Sequence, residues 1–177
     1  MSHKSAFALV AALLSGIHSM SAEEKPQPAC KDGESRQFDF WAGQWRVTEH
    51  GKLAGHNRIE LILEGCALLE NWTGAQGGAG KSLNFFDRND GLWHQTWIDR
   101  SGGALFLSGK FVDGAMRMEG VSAASGKQPA TRHRITWTAL PDGSVRQLWE
   151  SSPVAREEWT PQFDGLYVRQ GEGKSPD

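Results

Sequence analysis

The chain has 177 residues, with 19 basic against 21 acidic side chains and a formal net charge of −2, and its arginines stand singly among acids. That balance excludes the basic stripe a nucleic-acid binder needs. The length suits one domain with a sizeable core and leaves too little chain for two.

Met1 to Ala22 carries His3 and Lys4, an apolar run Ala6 to Leu14, and the small residues Ser19-Met20-Ser21-Ala22 ahead of Glu23-Glu24-Lys25. This is the pattern of a secretory signal peptide cleaved after Ala22. The run is shorter than the ~20 residues that span a bilayer, and no other segment is long and apolar enough to do so. The mature chain is expected to be periplasmic or secreted, and loss of Lys4 takes its net charge to −3. Residues 23–37 read as an N-terminal tail. The two cysteines, Cys30 and Cys66, are expected to pair in an oxidising compartment and staple this tail to the domain. Two free thiols or a metal site are the alternatives, but Cys-x-x-Cys is absent and His is sparse.

Phe38 to Val47, Phe-Asp-Phe-Trp-Ala-Gly-Gln-Trp-Arg-Val, packs two Phe and two Trp into eight positions and reads as the closed base and first strand of a barrel. Asp39 is expected to cap the turn that opens it. From there short alternating runs follow one another: Gln44 to His50, Asn57 to Leu63, Ala67 to Thr73, Lys81 to Phe86 and Leu92 to Asp99. Ala104 to Phe111, Ala115 to Val121, Thr131 to Thr138, Ser144 to Ser151 and Phe163 to Arg169 complete the series. The separators are turn signals such as Asn89-Asp90-Gly91, Ser101-Gly102-Gly103, Asp113-Gly114 and Pro141-Asp142-Gly143. About ten strands this close in sequence pair as antiparallel neighbours and curl shut to remove their edges. The expected fold is all-β, a single up-and-down antiparallel barrel over residues 38–170 with a disordered tail at 171–177; a sandwich is the alternative.

Three motifs carry a resemblance. Phe38 to Trp45 (Phe-Asp-Phe-Trp-x-Gly-x-Trp), Trp93 to Trp97 (Trp-His-Gln-Thr-Trp) and Phe163 to Tyr167 (Phe-Asp-Gly-x-Tyr) resemble an uncharacterised family of exported bacterial proteins. More remotely, Gly43-Gln44-Trp45 is similar to the Gly-x-Trp of calycins, the lipocalin and fatty-acid-binding superfamily, in which an Arg at the end of the last strand packs over that Trp. Arg169 stands in the matching place. The resemblance implies a calycin-like barrel with an internal cavity and implies no particular activity.

The period of two assigns side chains to the lumen. Trp93, Gln95, Trp97 and Asp99 share one face, as do His133, Ile135 and Trp137, then Val145, Gln147 and Trp149, then Glu70 and Trp72. Ile59, Leu61 and Leu63 are also expected inside, with Met116 and Met118, whereas His94 falls on the solvent face. The expected lumen therefore joins Trp72, Trp97, Trp137 and Trp149 to Glu70, Gln95, Asp99, His133 and Gln147. Aromatic walls with a few convergent polar groups describe a small-molecule site, although the polar set can equally serve as a satisfied structural network. Asp99 abuts the Ser101-Gly102-Gly103 turn and can simply cap it.

Three functional classes follow. The first is a periplasmic binder of a small apolar or amphipathic molecule, held by Trp72, Gln95, Trp97, Trp137, Gln147 and Trp149. The second is a cofactor-independent isomerase, cyclase, dehydratase or lyase with His133 and Glu70 or Asp99 as acid and base. The third is haem binding through one histidine, His94 or His133. No Gly-x-Ser-x-Gly or His-x-x-x-His motif points to a nucleophile or a closed metal site. The expected partner is a small molecule, with no nucleic acid, no cofactor other than haem in the third class, and a monomer or homodimer as the assembly.

Overall fold

Ten strands follow one another in the computed structural model, which describes residues 30–31 and 33–171. They are β1 (Gly43–Glu49), β2 (Lys52–Ile62), β3 (Ala67–Gly74), β4 (Ala79–Asp87), β5 (Leu92–Asp99), β6 (Ala104–Val112), β7 (Ala115–Ser122), β8 (Thr131–Ala139), β9 (Val145–Pro153) and β10 (Thr160–Arg169). Each hydrogen-bonds antiparallel to the next, and β1 pairs with both β2 and β10, so the sheet closes on itself without an edge. The expected up-and-down barrel is the fold. Tight turns make it possible: Asp113 and Gly114 both take positive φ, 52° and 78°, the geometry that joins β6 to β7 in two residues. The expected signal segment Met1–Ala22 and residues 172–177 of the expected tail lie outside the described residues.

Strand parity sorts the connections. Segments 63–66, 88–91, 113–114 and 140–144 lie at one end, the base; 50–51, 75–78, 100–103, 123–130 and 154–159 lie at the other, the mouth. The aromatic cluster fills the base. Phe38 stacks on Trp41 at 5.0 Å between ring centroids and meets the edges of Trp137 at 5.2 Å and Trp93 at 5.6 Å. Trp45 Nε1 donates to the Trp41 carbonyl at 2.9 Å, and the Arg169 guanidinium lies 4.4 Å over the Trp45 ring, in the place the Gly-x-Trp resemblance implies. Met116, Met118, Leu107, Ile135 and Val145 belong to the same buried core, with Val47, Ile59 and Leu68. Cys30 and Cys66 form a disulfide across 36 residues of sequence, fixing the N-terminal segment against the base. Closing a loop of that length contributes about 3–4 kcal/mol through the unfolded chain.

Two sequence expectations are corrected here. Leu61 and Leu63 are 42% and 71% exposed rather than inside. β1 begins at Gly43, opposite Ile59, so Leu61 runs past its end, and the chain then turns through Leu63 and Glu64 at φ 51° and 57°, where alternation stops. Asp39 does not hold the capping position, which falls to Phe38, and among the described residues its Oδ1 has no hydrogen-bond partner. It sits inside the short 3-10 turn Asp39–Trp41, one position past the capping residue Phe38, and reaches back to Arg36 at 2.5 Å. Burial raises its carboxyl above the ordinary value, against the pull of Arg36.

Candidate functional site

Between the aromatic base and the mouth lies a cavity of about 400 Å³. Its walls are Trp72 on β3, Trp97 on β5, Leu105 on β6, Trp149 on β9 and Phe163 on β10. Two glycines seat the rings. A Cβ at Gly80 would come within 2.2 Å of Trp97, and one at Gly55 within 2.8 Å of Trp72, so each indole lies against bare backbone of a neighbouring strand and leaves the lumen open.

The deep end is polar. Glu70 and Gln95 line the cavity yet are only 4% exposed, and Tyr167 beside them is 2% exposed. A chain of donors runs to the carboxyl group from one side: Gln95 Nε2 to Asn84 Oδ1 at 2.7 Å, Asn84 Nδ2 to Ser82 Oγ at 2.8 Å, and Ser82 Oγ to Glu70 Oε2 at 2.5 Å. From the other side Asn57 Nδ2 donates to Glu70 Oε1 at 2.7 Å. The Tyr167 hydroxyl donates to Gln147 Oε1, which also faces the cavity. Among the described residues Glu70 has hydrogen bonds and no cation. Burial therefore dominates, pushing its carboxyl up to about 7, while Ser82 and Asn57 oppose the rise. Asn57 Oδ1 is buried without a donor among the described residues.

His133 on β8 faces the same cavity but bonds elsewhere. Trp149 Nε1 donates to its Nδ1 at 3.2 Å, which assigns the ring proton to Nε2, 2.8 Å from Ser122 Oγ. Burial lowers its pKa, favouring the neutral ring. β8 and β3 are five strands apart whichever way round the barrel is counted, so His133 and Glu70 project from opposite walls. In a ten-strand barrel those backbones stand on the order of 20 Å apart. Asp99 at the mouth accepts from the Ser101 hydroxyl at 2.5 Å, the Ser101 amide at 2.7 Å and the Gly103 amide at 3.0 Å. These bonds, the hydroxyl's first, hold its carboxyl below the usual range. It caps the turn as well as lining the rim.

Of the residues expected in the lumen, Glu70, Trp72, Gln95, Trp97, Asp99, His133, Gln147 and Trp149 all line this one cavity. Trp137 does not; it lies fully buried beneath, against Phe38 and Trp41. Sequence reasoning missed Asn57, Ser82, Asn84 and Tyr167. Asn57 shares the phase of Ile59 and was legible; Ser82 and Asn84 were hidden because their strand turns Leu83 outward and these two polar residues inward. His94 lies on the outer face, stacked on Phe85 and 2.9 Å from Asp90. Asp87, Asp90 and His94 bring ligand atoms within 4.8 Å of one another, but both carboxylates already accept backbone amides where β4 turns into β5, Asp87 from Asn89 and Asp90 from Leu92. No family model matches the chain, and no curated protein matches it.

Proposed function

We propose that the protein is exported and holds a small apolar or amphipathic molecule in the barrel cavity. The observation that carries this reading is a cavity of about 400 Å³ with three tryptophans in its walls and a hydrogen-bonded carboxyl group at its deep end. The volume lies within the range of small-molecule pockets, and the mix of broad aromatic surface with few polar groups is theirs. Export is supported by the Cys30–Cys66 disulfide together with the Met1–Ala22 pattern. Among the described residues no helix is long and apolar enough to cross a membrane.

Binding is favoured over the catalytic alternative because His133 bonds to Ser122 and Trp149 and to neither carboxylate. A haem ligand at His133 would have to give up one of those two bonds, and His94 faces away from the cavity.

The test is titration with N-phenyl-1-naphthylamine, a neutral fluorophore that brightens in apolar surroundings. Removing the Trp97 ring takes away about 1.5–3 kcal/mol of apolar contact, so Trp97→Ala is expected to weaken binding roughly 10- to 150-fold. His133→Gln, a change in a side chain that bonds to the wall itself, should alter affinity less than threefold. Dye binding equal in Trp97→Ala and wild type would refute the cavity as the site.

A further inference from the structure

The cavity's charge is one-sided. Among the described residues its only ionisable side chains are Glu70, Asp99, His133 and Tyr167, and neither Lys nor Arg lines it. Burial holds His133 neutral and raises the Tyr167 hydroxyl well above its ordinary range, so neither supplies charge near neutral pH. What remains is a carboxyl group at the deep end and an ionised carboxylate at the mouth. Glu70 is faced by Asn57 from β2, Ser82 from β4 and Tyr167 from β10, with no cation among them. A buried carboxylate served only by neutral donors is costly, and an arriving cation relieves that cost. The neighbouring acceptor Asn57 Oδ1 also lacks a donor. The indole faces of Trp72, Trp97 and Trp149 attract cations further.

We propose that the ligand is an organic ammonium: a protonated amine on an apolar, preferably aromatic, body, its N–H groups directed at Glu70 and its body against the tryptophans. This rests on the cavity being the binding site, as proposed above. An anionic ligand such as a fatty acid would meet two acidic groups and no base. A neutral ligand would satisfy Asn57 but leave the carboxylate unpaired. Ionised Asp99 at the rim draws cations toward the mouth. The preference also depends on pH. Above the Glu70 titration the carboxylate is charged and pairs with the ammonium; below it the group is neutral and the advantage fades, while the amine itself stays protonated throughout.

The experiment compares three ligands with one skeleton, 3-phenylpropylamine, 3-phenylpropan-1-ol and 3-phenylpropanoate, by calorimetry on the mature protein at pH 8 and pH 5.5. The amine is expected to bind at least tenfold more tightly than the acid or the alcohol at pH 8, with the margin over the alcohol shrinking at pH 5.5. In Glu70→Gln, whose amide keeps the size of the group and one acceptor oxygen but carries no charge, the amine should lose at least tenfold while the alcohol changes less than threefold. Equal or tighter binding of the acid or alcohol at pH 8 would overturn the ammonium class and leave the cavity reading intact. An amine preference that survives in Glu70→Gln would overturn the assignment to Glu70. If none of the three binds and the neutral fluorophore also fails, the cavity reading falls and takes this inference with it.

Discussion

Truncating Trp41 to alanine is expected to lower the unfolding free energy by about 3–5 kcal/mol, a large share of the total for a domain of this size. The ring is fully buried, stacked on Phe38 and within 5.5 Å of Trp137 and 6.3 Å of Tyr167, centroid to centroid. Those neighbours come from β8, β10 and the chain ahead of β1, so no single element can relax into the gap. In thermal terms the loss corresponds to roughly 6–20 °C in Tm. Trp41→Phe separates ring packing from mere bulk. The Trp41 indole N–H is buried with no acceptor among the described residues, so exchanging it for a phenyl ring removes an unsatisfied donor along with some volume. We expect that variant to cost about 1 kcal/mol or less. Equal losses in the two variants, measured by denaturant unfolding, would show that the base is not packed as described.

The second large effect is a pH dependence written into Glu70. Its carboxyl is raised from 4.5 to about 7 in the folded protein, so between those values the folded chain holds a proton that the unfolded chain has released. Stability from this group is full below about pH 4.5 and is lost as pH rises through about 7, a swing of roughly 3 kcal/mol. Other groups pull the opposite way. His133 is shifted down, so its contribution is present at higher pH and lost as pH falls through its ordinary range. Glu150, held down by Arg134, and Asp164, held down by Arg146, lose theirs only in stronger acid. The clean quantity is therefore the difference between wild type and Glu70→Gln, measured by urea unfolding at pH 5 and pH 8. The variant should gain on wild type as pH rises, by a few kcal/mol across that window. Parallel pH profiles for the two proteins would mean that Glu70 is not buried as a free acid.

Much of this was legible because a barrel with water outside obeys a simple rule: alternate side chains point in. The rule placed Gln95 and Trp97, His133 and Ile135, and Gln147 and Trp149 on the lumen side from local pattern alone. It failed where the strand ended, at Leu61 and Leu63, since alternation says nothing about where a neighbour stops. It was also silent for Lys81 to Phe86, where Ser82 and Asn84 face inward because they bond toward Glu70 from the adjoining strand, and Leu83 is left 40% exposed. That inversion depends on register between β3 and β4, which puts Ser82 opposite Glu70. The partners of His133 lay beyond reach for the same reason. Period two puts His133 and Glu70 in one lumen, but only closure of the ring shows them on opposite walls. Trp137 illustrates a further limit: inward does not mean cavity, because the lower part of the lumen is filled by Phe38 and Trp41 from outside the sheet.

Native mass spectrometry of the protein purified from its own cells is the most direct test of the proposal that the barrel is a carrier. A mass excess of a single small molecule, lost from Trp97→Ala prepared the same way, is the expected result. A spectrum showing only the bare chain, from protein that also fails to take up the neutral fluorophore, would contradict it.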